Sequence, residues 1–178
     1  MFAIVLAALD RSGSVLPILC AMAVHELAHV VMMLACGGQV RRLTLRFADL
    51  QIAASGLGYR QELLSALAGP LVNLICGAAF CMQRPSFAAY SLTLGIYNLL
   101  PVWPLDGGRV LRCALLARLP ITPAEHISEI VSFAACAVLL LIGVFLTFFR
   151  KSGLWPLGTA AYLTVRLLML ARRTDAVQ

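Results

Sequence analysis

The stretch AVHELAHVV, residues 23–31, places three ionisable side chains inside an apolar run that extends from residue 14 to residue 36. A helix needs about 20 residues to cross the hydrocarbon core of a bilayer, and this run is long enough. Titratable groups are rare in such helices and usually have a function there. His25, Glu26 and His29 therefore indicate both the kind of fold and the place to look for chemistry.

The composition of the whole chain agrees with a membrane protein. The chain has 178 residues, of which 61% are hydrophobic and 12% charged, and a soluble domain carries about twice that fraction of charge. Five apolar blocks reach or approach the length of a span, at residues 14–36, 62–82, 86–102, 124–149 and 154–171. The sequence predicts a single domain over residues 1–178, an all-α polytopic membrane protein with about five transmembrane helices.

The positive charge of the chain lies in loops rather than on one face. The net charge is +6, and most arginines fall in the loops at 37–61 and 103–122 and near the C-terminus, which the positive-inside rule places in the cytosol. A nucleic-acid partner would need a basic face or a known module, and we predict none.

The six cysteines form no CxxC pair, so we predict small buried side chains without disulfides or a cysteine metal site.

Between the first two blocks the pattern changes to a period of two. Residues 40–52 read VRRLTLRFADLQI, with alternating apolar and polar side chains and glycines on both sides. This pattern predicts strands, and we expect a short membrane-associated β-hairpin over residues 40–58. The segment is either a plain amphipathic connector or a sheet edge that pairs with an extended peptide.

A helix start is predicted before the fourth block. Residues 122–125 read TPAE, a capping box with proline at the first helical position. The helix should therefore begin at Pro123. We interpret His126, in its first turn, as structural.

The HELAH motif has the spacing of a metal site. His25 and His29 are four residues apart and face the same way on a helix, so both imidazoles can reach one Zn²⁺ at about 2.0–2.1 Å. Glu26 stands beside the metal without binding it, where it can take a proton from a water. The alternative is that these residues occur together at a helix end by chance. That alternative does not explain why the free-energy cost of burying them in a membrane is tolerated.

A catalytic zinc site has three protein ligands and one open position. The best third candidate is Asp106, the only aspartate between Asp49 and Asp175. It lies in YNLLPVWPLDGGRV, residues 97–110, where prolines and glycines interrupt the helix. Irregular backbone at membrane depth is tolerated where it is buried in protein or lines a wet cavity. The alternative is a simple turn at the end of a span.

A third polar position occurs in LAGPLVN, residues 67–73. Ala68 and Gly69 allow two helices to approach closely. Asn73 either stabilises the packing of two helices through a polar contact, or it is a hydrogen-bond donor that orients substrate or stabilises an oxyanion.

The three motifs, HELAH, AGPLVN and NLLPVWPLDGG, in this order resemble the site-2 protease family of intramembrane zinc metalloproteases, peptidase family M50. The version LLPVWPLDGGR is most similar to the stage IV sporulation protein FB type. The resemblance implies that His25, His29 and Asp106 hold one Zn²⁺ per chain and that Glu26 is the catalytic general base. It also implies that Asn73 and Asn98 lie near substrate.

The resemblance further implies hydrolysis of a peptide bond in a membrane-associated substrate, for the sporulation type a sigma-factor precursor. Implied partners are that substrate, inhibitory membrane proteins and the lipid bilayer. The implied location is the bacterial inner membrane, including the mother-cell-derived membrane around a forespore, with the active site facing the cytosol. This orientation agrees with the loop charges.

The chain also departs from the sporulation type. HELAH begins at residue 25, so a span that usually precedes it is missing or reduced, and we expect no CBS or PDZ domain. One alternative function is a catalytically inactive pseudoprotease that binds membrane partners, but a pure binder has no need of Glu26. A metal transporter or sensor is the other alternative, and the sequence has neither the internal repeat nor the several ligand clusters typical of transporters.

Overall fold

The computed structural model describes residues 13–46, 49–55, 57–148 and 155–175. Within these ranges the chain is mainly helical and forms two compact units, Met1–Leu99 and Leu100–Gln178. The first unit holds α1 (Val15–Ala35), β1 (Gln39–Arg46), β2 (Asp49–Ser55), α2 (Tyr59–Phe80) and α3 (Pro85–Asn98). The second holds α4 (Asp106–Leu116), α5 (Ile121–Phe148) and α6 (Trp155–Asp175).

In the first unit α1, α2 and α3 pack against one another. Glycines bring α2 and α3 close together: a Cβ at Gly77 would lie 2.6 Å from Cδ2 of Leu92, and one at Gly95 would lie 3.0 Å from the carbonyl oxygen of Pro70. Small residues at such contacts are typical of helices that pack in a membrane.

The end of α1 is set by two glycines. Gly37 has a φ of 81°, and its N–H donates to the carbonyl of Leu34 while the N–H of Gly38 donates to the carbonyl of Met33, both at 3.0 Å. This is the Schellman arrangement, in which a residue in the left-handed region closes the last turn. The helix that carries HELAH therefore stops before β1.

The strands β1 and β2 are antiparallel, with Leu43 opposite Ile52 and Leu45 opposite Leu50. The register shifts between Val40 and Arg42, which is the position of a β-bulge. The complete hairpin over residues 40–58 stays a prediction, because residues 47–48 and 56 lie outside the described residues.

In the second unit α5 packs against both α4 and α6. Its buried residues include Ala124, Ser128, Ser132 and Cys136, which recur every four positions and form one ridge of the helix. Small side chains along that ridge let the neighbouring helices lie close to it.

Three of the described helices, α1, α2 and α5, are long and apolar enough to cross a membrane. α6 contains a shorter apolar stretch, Leu157–Met169. α3 has 14 residues and is therefore about 21 Å long, less than the roughly 30 Å of a hydrocarbon core. The helical membrane architecture agrees with the sequence, whereas the count of five spans stays a prediction.

The predicted start of α5 at Pro123 is wrong. The helix begins at Ile121, and its first bond runs from the N–H of Ala124 to the carbonyl of Pro120, at 3.1 Å. Pro123 fits within the first turn because the N–H it lacks would have no helical partner there.

Candidate metal centre

Two histidines converge on one face of α1. The Nε2 atoms of His25 and His29 are 3.1 Å apart, and the two rings meet edge to face with their centroids 4.7 Å apart. Only 4% and 7% of the two residues are exposed. The spacing of four residues thus brings two buried imidazole nitrogens close together on one face of the helix.

The backbone of α2 lies directly against these rings. A Cβ at Gly69 would be 2.6 Å from Cε1 of His29 and 2.9 Å from Cε1 of His25. No ordinary side chain fits at those distances, so residue 69 has to be glycine for the rings to stay where they are. The sequence predicts close helix approach here, and the structure shows that imidazole rings occupy the space.

The orientation of His29 is fixed by Ser65 on α2. The Nδ1 of His29 lies 2.7 Å from the carbonyl oxygen of Ser65, and the Oγ of Ser65 donates to the carbonyl of His29 at 3.3 Å. A carbonyl can only accept, so Nδ1 carries the proton and Nε2 keeps its lone pair. Sequence reasoning missed Ser65, although it lies four residues before Gly69 and so on the same face of α2.

Asn73 follows one turn further along that face. It is 0% exposed, and its Nδ2 lies 3.2 Å from Nδ1 of His25. Its Oδ1 is buried without a hydrogen-bond partner. The structure therefore brings Asn73, one of the predicted site residues, into direct contact with a predicted metal ligand.

The other two predicted residues of this unit have different surroundings. Glu26 follows His25 on α1 and is partly buried. Asn98 is the last residue of α3, and its amide donates to the carbonyl of Leu94 on the same helix at 3.1 Å. The role predicted for Asn98 near substrate stays a prediction.

Asp106 belongs to the second unit, where it is the first residue of α4. It is 9% exposed, and its Oδ1 lies 3.7 Å from Nη1 of Arg109. A carboxylate in the first turn is favoured by the helix dipole. The side chain is thus a largely buried carboxylate at a helix N-terminus.

The loop before Asp106 is tied to both α4 and α5. The N–H of Trp103 donates to Oγ of Ser132 at 3.1 Å, and that hydroxyl donates to the carbonyl of Ser128 at 2.8 Å. A Cβ at Gly108 would lie 2.6 Å from the backbone nitrogen of Trp103. These contacts hold the irregular backbone of residues 100–105 in one position.

The guanidinium of Arg112 strengthens the same region. It lies 5.9 Å from the ring of Trp103 and donates to Oε1 of Glu125 at 2.8 Å. Both partners of the ion pair are about one-third or more exposed, so its contribution to stability is small, typically about 0–1 kcal/mol. Sequence reasoning did not identify Arg112 or Ser132, because nothing in their local pattern indicates these contacts.

The histidine pair fits a zinc ion. Two ligand nitrogens at about 2.0–2.1 Å from a tetrahedral zinc are about 3.3–3.4 Å apart, close to the 3.1 Å between the two Nε2 atoms. Zinc-binding histidines usually hydrogen-bond through their other ring nitrogen, and here both Nδ1 atoms face polar atoms of α2. The donor type, the distance and the presence of a polar partner at each Nδ1 suit the metal.

Comparison with known proteins agrees with these features. The model of peptidase family M50 matches residues 85–142. Stage IV sporulation protein FB of Bacillus subtilis is 28% identical over 138 residues, which make up 70% of this chain and 47% of that protein. A zinc metalloprotease of Methanocaldococcus jannaschii is 26% identical over 133 residues, covering 67% of this chain and 39% of that protein.

A solved structure shares the fold. The site-2 protease from Methanocaldococcus jannaschii superimposes with a TM-score of 0.67 at 19% identity, covering 94% of this chain and 83% of that chain. The resemblance to the site-2 protease family, peptidase family M50, that the three sequence motifs predict is therefore confirmed. This chain spans less than half of the length of the two curated relatives, 47% and 39%.

Proposed function

We propose that this chain is an intramembrane zinc metalloprotease that hydrolyses a peptide bond in a membrane-associated protein. The observation that carries the proposal is the pair of buried Nε2 atoms of His25 and His29, 3.1 Å apart on an apolar helix. Such groups are costly at membrane depth unless a function retains them. The matched relatives, one of which is named a zinc metalloprotease, support the same activity.

In the proposed site His25, His29 and Asp106 hold one zinc ion. The assignment of Asp106 as the third ligand rests on the family motif LDGG and on the chemistry of a buried carboxylate. The bound zinc would act as a Lewis acid that lowers the pKa of water towards about 7 and polarises a carbonyl. Three protein ligands leave one coordination position for the reaction.

The proposed role of Glu26 is proton transfer. It takes a proton from the water as the water oxygen bonds to the carbonyl carbon, and it then delivers that proton to the nitrogen of the leaving amine as the C–N bond breaks. It follows His25 directly and lies three residues before His29, so it borders the face shared by the two histidines and stands beside the metal site. The partial burial of Glu26 leaves its carboxylate able to reach a substrate.

The proposed substrate is a sigma-factor precursor, as the similarity to a sporulation protein suggests. A helical substrate hides its carbonyls, so the segment to be cut has to be extended, and an edge of the β1–β2 sheet could pair with it. We place the protein in the bacterial inner membrane with its site facing the cytosol, since most arginines lie in the loops on that side. Inhibitory membrane proteins are the proposed regulators.

The test is co-expression of the full chain with a sigma-factor precursor, comparing the parental protein with Glu26→Gln. Glutamine keeps the size of the side chain but cannot accept the proton, so the rate of cleavage should fall by about 10²–10⁴-fold while zinc stays bound. Glu129→Gln, which changes an exposed carboxylate on α5, is the matched control and should cleave at the parental rate.

Two results would contradict the proposal. Cleavage by Glu26→Gln at the parental rate would place the base elsewhere. If the parental protein binds the precursor but leaves it intact, the pseudoprotease interpretation replaces the protease.

A further inference from the structure

One face of α2 serves both histidines of α1. Ser65, Gly69 and Asn73 recur every four residues and therefore lie in line along the helix. The carbonyl of Ser65 contacts Nδ1 of His29, the bare backbone at Gly69 leaves room for both rings, and the amide of Asn73 contacts Nδ1 of His25. Each ring thus meets α2 through the nitrogen that points away from the other ring.

The orientation of the Asn73 amide determines which ring nitrogen of His25 carries the proton. The amide nitrogen and oxygen have nearly the same shape, and their assignment follows from the hydrogen-bond network. With Nδ2 against the ring, Nδ1 of His25 has to accept, and the proton of the neutral imidazole then sits on Nε2. With Oδ1 against the ring, Nδ1 carries the proton and Nε2 has a free lone pair.

Metal binding distinguishes between the two orientations. The Nε2 atoms of His25 and His29 are the ones that converge, and a ligand nitrogen cannot carry a proton. Without a metal, the orientation with Nδ2 against the ring has one more hydrogen bond, because Nε2–H of His25 can then donate to Nε2 of His29 at 3.1 Å. A zinc ion bound between the two Nε2 atoms takes the place of that bond, and the preference is then reversed. A zinc ion held through both Nε2 atoms leaves Nδ1 of His25 as a buried donor, and the Asn73 amide, 3.2 Å away, can present Oδ1 to it as an acceptor.

We infer that Asn73 is a positioning residue whose Oδ1 accepts the Nδ1 proton of His25. It does for His25 what the Ser65 carbonyl does for His29, and both ligands are held with their Nε2 lone pairs directed at the metal. The inference rests on the proposed function, because it assumes the zinc site. It assigns Asn73 to the protein side of the metal, away from the substrate, which agrees with its complete burial.

Two substitutions test the inference in the purified full-length chain. Asn73→Asp offers only acceptor atoms, whereas Asn73→Leu keeps the size of the side chain and removes the hydrogen bond. Groups that orient metal ligands typically contribute about 10–100-fold to metal affinity. We therefore expect Asn73→Leu to bind Zn²⁺ about 10–100-fold more weakly in competition with a chelator, and Asn73→Asp to retain the parental affinity or exceed it.

The matched control is Ser91→Ala. Ser91 on α3 is also buried in the first unit, and its Oγ lacks a hydrogen-bond partner, so its hydroxyl makes no hydrogen bond to a metal ligand. Its replacement should leave zinc affinity unchanged. Elution as a monodisperse species by size-exclusion chromatography identifies the variants that are folded.

A spectroscopic measurement needs no variant. The chain contains three histidines, so ¹⁵N-histidine spectra of the zinc-loaded protein have few signals. We expect His25 and His29 both to show protonated Nδ1 and metal-bound Nε2.

The possible negative results separate a failure of this inference from a failure of the proposed function. Parental zinc affinity in Asn73→Leu, a loss in Asn73→Asp as large as in Asn73→Leu, or an unprotonated Nδ1 on zinc-bound His25 would each overturn the inference and leave the proposed function standing. A parental protein that binds no zinc would overturn both.

Discussion

At residue 69 the α2 backbone touches the imidazole rings, and the absence of a side chain is what allows the contact. Gly69→Ala would place a methyl group 2.6 Å from Cε1 of His29, so either the ring or the helix has to move. Overpacking of this kind costs about 1–3 kcal/mol, and we expect zinc affinity to fall by about tenfold or more, measured by chelator competition.

The control for this substitution is Gly158→Ala. A Cβ at Gly158 would meet no atom within 4 Å, so this change tests the effect of removing a helical glycine alone. It should leave zinc affinity unchanged. Equal affinity in Gly69→Ala and the parental protein would show that the rings do not need the space.

The proposed ligands can be tested one at a time by elemental analysis of purified protein. We expect one zinc per chain in the parental protein and in Glu129→Ala, and little or none in His29→Ala or Asp106→Ala, because two remaining ligands hold zinc poorly. Full occupancy in Asp106→Ala would remove that residue from the ligand set.

At the scale of single elements, the loop before α4 depends on one hydroxyl of α5. Ser132→Ala would leave the N–H of Trp103 without its acceptor, and an unsatisfied donor of this kind costs about 1–3 kcal/mol. We expect the midpoint of unfolding in detergent to shift to lower denaturant concentration. Ser128→Ala is the control, because its carbonyl and not its hydroxyl takes part in the chain of bonds; equal midpoints for the two variants would contradict the prediction.

The elements also show what the sequence could and could not predict. The apolar run containing HELAH predicts a helix over residues 14–36, and α1 occupies Val15–Ala35. The close approach at Gly69 was predictable because small residues permit it, but not the rings on the other side. Ser65 was missed because its contact with Nδ1 of His29 uses a backbone carbonyl, an atom that every residue has, and only its spacing from Gly69 and Asn73 could have suggested it.

The observed helix bounds differ from the sequence-based ones because the sequence rules are local. TPAE predicts a helix start at Pro123, yet Pro120 supplies the first accepting carbonyl, since a proline within the first turn is compatible with either start. The span over residues 86–102, which rests on apolar length alone, stays a prediction; the helix there ends at Asn98, ahead of Pro101 and the interrupted backbone that leads to Asp106. Sequence windows measure hydrophobicity, whereas the end of a helix depends on backbone hydrogen bonds.

At the scale of the whole molecule, the distribution of arginine predicts which side of the membrane each loop occupies. In a cysteine-free background, we expect Arg46→Cys to be protected from an impermeant thiol reagent added to intact cells and Arg84→Cys to be labelled, because the arginine distribution predicts opposite sides for their loops. After the cells are opened, both should react. Labelling of position 46 from outside would reverse the proposed orientation.

The contacts between α1 and α2 also set an order of events during biosynthesis. His25 and His29 leave the ribosome before Ser65 and Asn73, so the nascent chain presents both imidazoles well before the atoms that orient them exist. Until α2 has inserted and docked, the rings are free to turn and to exchange their protons between nitrogens. If the proposed zinc site is correct, tight metal binding therefore has to wait until α2 has been made and has docked against α1.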